Sequence, residues 1–257
     1  MKRHFGWALA SVVLVGISGL GAASAADMAV KAPVQALPPP VYSWTGCYIG
    51  AEGGGAWGRS RTRLAATGEP FQDPFDVSGG VVGGEWGCNY QFGKIVIGYE
   101  GDFSWSNKKG SAFDGLTAGN PLIPITVEER WISTQRGRLG WAWDRTLLYV
   151  TGGVAFADAR WSGALLPPAF APAFTASDTA HFTGGVVGVG VEFAITNNWT
   201  VKGEYLYTDL GSSTICNATC ATPFGPFAAR NVSLTDNIVR VGVNYKWNWA
   251  APVVAKY

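Results

Sequence analysis

The chain has 257 residues, among them 35 Gly, 12 Trp, 19 Lys+Arg and 18 Asp+Glu. Charged residues reach only 14%, well below the ~25% of an ordinary soluble protein, and glycine runs at roughly twice average usage. A net charge of +1 with two His gives no basic footprint for nucleic acid, and an aromatic share of 13% argues against disorder. Past residue 25 there is no uncharged apolar run of the roughly 18 residues a membrane-spanning helix needs. One domain is expected at this length, and an apolar, glycine-rich, charge-poor chain leaves a membrane β-barrel open.

The N-terminus reads as an address. Residues 1–4 are basic, residues 5–20 are apolar, and Ala23-Ser24-Ala25 is a small-x-small cleavage pattern. Residues 1–25 therefore form a cleavable signal peptide rather than a retained anchor. Without Lys2 and Arg3, the 19 basic residues fall to 17 against 18 acids, a net of −1. Residues 26–41 end in Pro38-Pro39-Pro40 and read as a flexible, Pro-rich periplasmic leader. The barrel is expected over 42–249, followed by a C-terminal extension over 250–257.

A period of two runs through eight segments of the mature chain. In 45–57, Cys47, Ile49, Ala51 and Trp57 oppose Tyr48, Gly50, Glu52 and Gly54. In 79–90, Val82, Trp86, Cys88 and Tyr90 oppose Gly83, Glu85, Gly87 and Asn89. The contrast is sharpest in 95–105, where Ile95, Ile97, Tyr99, Phe103 and Trp105 oppose Gly98, Glu100, Asp102 and Ser104. In 129–143, Leu139, Trp141 and Trp143 oppose Arg136, Arg138 and Gly140; in 147–160, Leu148, Val150, Val154 and Phe156 oppose Tyr149, Thr151 and Gly153. In 179–194, Val187, Val189, Val191 and Phe193 oppose Gly188, Gly190 and Glu192. In 199–209, Val201, Tyr205 and Tyr207 oppose Lys202, Glu204 and Thr208. Last, in 235–249, Val239, Val241, Val243, Tyr245 and Trp247 oppose Arg240, Gly242, Asn244 and Lys246.

The links alternate in length. Residues 58–78, 106–128, 161–178 and 210–234 read as long polar loops, whereas 91–94, 144–146 and 195–198 are tight turns. Long-short alternation around an even strand number is the plan of an outer-membrane barrel, with short turns inside and long loops outside. The expected fold is an all-β, eight-stranded, antiparallel up-and-down transmembrane β-barrel.

The charged face is also the glycine-rich face, which suits the crowded interior of a small barrel. The opposite face carries Trp and Tyr at strand ends and Val or Ile between them, an aromatic girdle around a lipid band. A soluble β-protein would instead turn its apolar face inward. The lumen set is then Glu52, Glu85, Glu100, Asp102, Arg136, Arg138, Glu192, Lys202, Glu204, Arg240 and Lys246. Six acids and five bases on one inner face read as a salt-bridged plug, because buried charge is costly unless paired. A narrow ion path and a catalytic carboxylate pair are the other readings.

Four cysteines in an exported chain suggest disulfides. Cys216 and Cys220, in a polar segment, read as a loop staple; metal binding lacks further nearby ligands. If the first hairpin centres between residues 67 and 68, Trp57 faces Ser78 and Cys47 faces Cys88 on the same face. A cross-strand disulfide is then geometrically possible, with two unpaired thiols as the alternative.

Several stretches resemble the alphaproteobacterial outer-membrane β-barrel family of the surface-antigen (immunogenic) type, related in architecture to OmpA-like barrels. They are 42–50 (YSWTGCYIG), 136–144 (RGRLGWAWD), 148–155 (LYVTGGVA) and 237–247 (NIVRVGVNYKW). The resemblance spans 42–249 and is weak in the loops. It implies an outer-membrane location, a structural or surface-exposed role and, in some members, weak pore activity. It also implies insertion by a barrel-assembly machinery that reads the last strand, where Arg240, Gly242, Tyr245 and Trp247 match a polar-x-Gly-x-x-aromatic-x-aromatic signal; residues 250–257 extend past that match to Tyr257.

His181, the single mature histidine, lacks an evident serine partner. No glycine cluster stands at a strand-to-helix turn to cradle phosphate. The expected function is a structural, surface-exposed outer-membrane barrel without enzymatic activity or cofactor. Its expected partners are outer-membrane lipids, the assembly machinery and an unidentified extracellular loop partner. A small-solute porin, a lipid-modifying enzyme and a soluble exported barrel are the competing readings.

Overall fold

The structure, a computed structural model, describes residues 42–70, 73–113, 124–165, 174–217, 220–222, 225–226 and 229–247. The expected signal peptide, leader and C-terminal extension lie outside the described residues. Eleven strands follow in chain order: β1 (Gly46–Leu64), β2 (Phe75–Phe92), β3 (Ile95–Ser106), β4 (Lys109–Phe113), β5 (Pro124–Trp143), β6 (Thr146–Leu165), β7 (Phe174–Ala194), β8 (Trp199–Ile215), β9 (Ala221–Thr222), β10 (Gly225–Pro226) and β11 (Arg230–Trp247). All pairings are antiparallel, and β1 pairs with both β2 and β11, so the sheet closes on itself. β4 continues β3 past Asn107 and Lys108 against the same two neighbours, which makes eight staves; β9 and β10 form a separate small hairpin. Closure satisfies every edge, which a sheet immersed in hydrocarbon requires.

The three tight links are present; the first two are shorter than expected and the third has the expected bounds. Turns occupy 93–94 and 144–145, and bends 195–198. Gly93 (φ 61°) and Asp144 (φ 51°) adopt the left-handed backbone that reverses a strand this sharply.

The four long loops are a correction. Among the described residues of these segments, 58–64, 75–78, 109–113, 124–128, 161–165, 174–178, 210–215 and 230–234 are strand. The staves therefore continue well beyond the lipid band. There water replaces lipid outside, so the face that must be apolar changes sides. On β11, Val239, Val241 and Val243 face outward below this level, whereas Val232, Leu234 and Ile238 face inward above it. On β1 the last outward aromatic is Trp57, and Arg59, Arg61 and Arg63 follow on the same face.

Two irregularities tune the register. Arg130 is an extra residue on β5 opposite β6, between Glu129 and Trp131. A second shift on β8, opposite Ser233 and Thr235, contains Gly211 at φ 67°. A bulge exchanges the inward and outward parity of the residues beyond it.

Candidate functional site

The interior is stacked in three levels, and the central one collects ten of the eleven expected lumen charges. Arg136 extends from β5 to Glu100 (2.6 Å), Asp102 (3.1 Å) and Glu204 (2.8 Å). Arg138, two residues on, reaches Glu100 (3.1 Å) and Glu192 (2.7 Å). Arg240 bridges Glu52, Asp102 (3.0 Å) and Glu204 (2.8 Å). Lys202 contacts Glu85 and Glu100 (3.0 Å), with Glu52 and Glu204 each at 3.7 Å. All ten are buried, and Glu100, Asp102 and Arg136 are 0% exposed. Six carboxylates thus meet four cations, a local formal charge of −2. Lys246 stands apart, at the periplasmic mouth, against the Ser43 carbonyl and over the Tyr42 ring (4.1 Å).

Hydroxyls join the network. Tyr48 donates to Glu100 and accepts from Arg138 (2.7 Å), and Tyr149 donates to Glu204 (3.1 Å) while its ring lies 3.9 Å from the Arg138 guanidinium. Thr200 donates to Glu192 (2.6 Å), Ser104 to Glu52 (3.1 Å) and Thr134 to Asp102. Ion pairs supported in this way can offset the several kcal/mol each buried ion loses on leaving water.

Register explains how such long side chains fit. Arg136 is paired with Gly153, Arg138 with Gly98, Arg240 with Gly54 and Lys202 with Gly242. Glu52, Glu85, Glu100 and Glu204 face Gly83, Gly50, Gly87 and Gly190. Large charged residues lie over bare backbone; a Cβ at Gly54 would stand 2.6 Å from the Arg240 Cα.

The second level lies toward the periplasm and was missed in the sequence. Tyr42 and Trp44, ahead of β1, fold into the barrel mouth in an edge-to-face pair (4.9 Å) with Leu147, Val96 and Ala194. The Trp44 backbone amide donates to Gln91 (2.7 Å). Burial, with Glu192 nearby, raises the Tyr42 hydroxyl above its ordinary range against the opposing pull of Arg145, so the ring caps the mouth as a neutral group.

The third level, above the lipid band, is apolar. Phe182, Leu206, Leu210, Ile215, Leu234 and Ile238 pack with Trp161. Buried Arg230, over the Trp161 ring (5.3 Å), interrupts it, as does a buried triad in which Lys108, at the β3–β4 break, lies 2.7 Å from Glu129 and 2.6 Å from Asp236. The sequence reading missed all three. The bulge at Arg130 places Glu129 inward, and Asp236 falls on the inward parity of Arg240.

Cys47 and Cys88 are register partners and form a disulfide, as do Cys216 and Cys220. The second bridge consumes both thiols that stand beside Asp178, so that trio is no set of metal-binding thiolates. His181 is exposed on the outer face, 3.1 Å from Asp158.

A closed antiparallel barrel with a lipid-facing exterior and a polar interior is the architecture of an integral outer-membrane protein. The sequence matches, over residues 16–246, the family described as "Outer membrane protein beta-barrel domain", and the chain belongs to that family. It is 37% identical over 249 residues to the 31 kDa outer-membrane immunogenic protein of Brucella melitensis, across 92% of this chain and 99% of the relative. It is 32% identical over 187 residues to a 22 kDa outer membrane protein of Rhizobium leguminosarum bv. viciae, across 72% of this chain and 71% of the relative. Among solved structures, OprG of Pseudomonas aeruginosa aligns with a TM-score of 0.48 at 12% identity, covering 80% of this chain and 98% of that one. The protein is an outer-membrane β-barrel of the immunogenic outer-membrane protein type.

Proposed function

We propose that the protein is a structural, surface-exposed barrel whose lumen is stoppered rather than conducting. The observation that carries this reading is the complete burial of the central ion network: Glu100, Asp102 and Arg136 are 0% exposed. An ion crossing this level would have to break several buried pairs at once. The Tyr42–Trp44 cap and the apolar level above supply two further obstructions in series. The lumen carboxylates lie among cations and hydroxyls, which supports cohesion rather than acid–base work. On the same reading, β11 carries the assembly signal: Tyr245 and Trp247 face lipid, while Arg240 and Gly242 face the lumen. The links at the outer end present the surface that an extracellular partner would meet.

Planar-bilayer recording of the purified, folded protein tests the stopper. The expected trace shows no steady conductance. Steady open channels in the wild-type protein would overturn the reading in favour of a small-solute porin.

A further inference from the structure

On β1, Arg59, Arg61 and Arg63 point outward on alternate residues, all exposed, directly beyond Trp57 in the aromatic girdle. Register sets Thr235, Ser233 and Asn231 of β11 beside them. The Thr214 hydroxyl of β8 lies 2.7 Å from the Asn231 side chain. Other outward cations beyond the lipid band stand near or opposite carboxylates: Lys109 by Glu128 (3.8 Å), Arg130 by Asp158 (4.0 Å), and Arg160, which forms no ion pair but has Glu128 as its register partner. Here Asp76 engages Arg59 alone (3.1 Å), and Asp209 lies across β11, paired with Thr235. Among the described residues, no carboxylate is within ion-pair distance of Arg61 or Arg63. The β1–β11 face therefore carries unbalanced positive charge among hydroxyls and amides, a surface suited to phosphate.

Height selects the source of that phosphate. A strand rises ~3.3 Å per residue and tilts ~40° in such barrels, so Arg59 and Arg61 stand about 5 and 10 Å above Trp57, at headgroup depth. Below them the outer face of β1 and β2 is apolar and carries mostly small residues. Gly55 is paired with Gly80, and Gly53 and Gly84 lie nearby on the same face. A Cβ at Gly55 would meet nothing within 4 Å. Forked cations over an apolar face of small residues match an amphiphile: phosphates above, acyl chains below.

We propose that the outward β1–β11 face is a binding site for a phosphorylated glycolipid of the outer leaflet, held by Arg59, Arg61 and Arg63. The site does not depend on whether the lumen conducts.

The test uses the full folded protein in phosphatidylcholine bicelles doped with bis-phosphorylated lipid A or with its phosphate-free form. Lipid retained after detergent exchange is counted by native mass spectrometry. Wild type keeps the phosphorylated lipid, and the Arg59→Gln/Arg61→Gln/Arg63→Gln variant loses at least about tenfold in retention, since each surface arginine is worth roughly fivefold near anionic lipid. The Arg61→Gln/Arg63→Gln variant, which disturbs no ion pair, loses less but still severalfold. Both keep a heat-modifiable gel band, because the side chains are exposed. Equal retention by variants and wild type would overturn the site, as would equal retention of the phosphate-free lipid by wild type. A soluble arm separates the sources: inositol hexakisphosphate, titrated in uncharged detergent, is expected to bind weakly and leave lipid A in place. Tight binding that displaces lipid A would make this a soluble-polyanion site and defeat the glycolipid assignment.

Discussion

At the level of the lipid band, the interior of this barrel holds Arg136, Arg138, Lys202 and Arg240 among six carboxylates; further out along the same strands it holds Phe182, Leu210, Leu234 and Ile238. The outer surface changes in the opposite sense, from Val241 and Trp57 to Ser233 and Arg61. One chain thus solves two solvent problems with one alternation. Where hydrocarbon lies outside, polar groups are sequestered within and must neutralise one another. Where water lies outside, the hydrophobic effect fills the interior and the polar face turns out. Inward and outward are set by geometry, whereas polar and apolar are set by the medium.

The comparison can be broken at several places. The largest effect is expected at the central network. Arg136→Met strips Glu100, Asp102 and Glu204 of a shared partner, and losing one member of a buried charge group costs ~3–5 kcal/mol. It should lower the urea midpoint sharply or abolish the heat-modifiable band, and an unchanged midpoint would remove the network from the stability account. The outer level should respond to volume instead of charge: Leu210→Ala in the apolar level is expected to cost ~2–5 kcal/mol by the same urea titration.

The outer surface sharpens the boundary. Val241→Arg puts charge against lipid and should cost ~2–4 kcal/mol if that position is near mid-bilayer. Arg61→Val, at headgroup depth above the hydrocarbon band, should move the midpoint by less than ~1 kcal/mol. Similar costs at both positions would erase the proposed boundary. The smallest effect is expected for Arg160→Gln, at an exposed side chain with one long contact to Ser177 (3.4 Å), where a shift within ~0.5 kcal/mol should be seen.

Much of the lipid-level barrel is legible in the chain, because one period and one hydrophobic contrast run together there. The inward face of Glu100, Arg136 and Lys202, and the pairing of Cys47 with Cys88, follow from counting alone. Counting fails where the contrast reverses. Residues 58–64 and 230–236 look polar and loop-like when the lipid-facing parity is taken as the apolar one, although their burial alternates along the strand. It fails again at bulges: Arg130 shifts parity and turns Glu129 inward beside Lys108. The Tyr42–Trp44 cap has no period at all, since two residues ahead of a strand carry no signature of folding back into its mouth.

The central claim is that the faces exchange media near Ile238 and Val239. Spin labels introduced singly at positions 231 to 245 of β11, read for collision with oxygen and with a water-soluble nickel chelate, test it most directly. Outward positions 241 and 243 should favour oxygen, outward positions 231 and 233 should favour nickel, and inward positions 234 and 240 should be shielded from both. Nickel access at 234, or oxygen-dominated collisions at 231 and 233, would contradict the account.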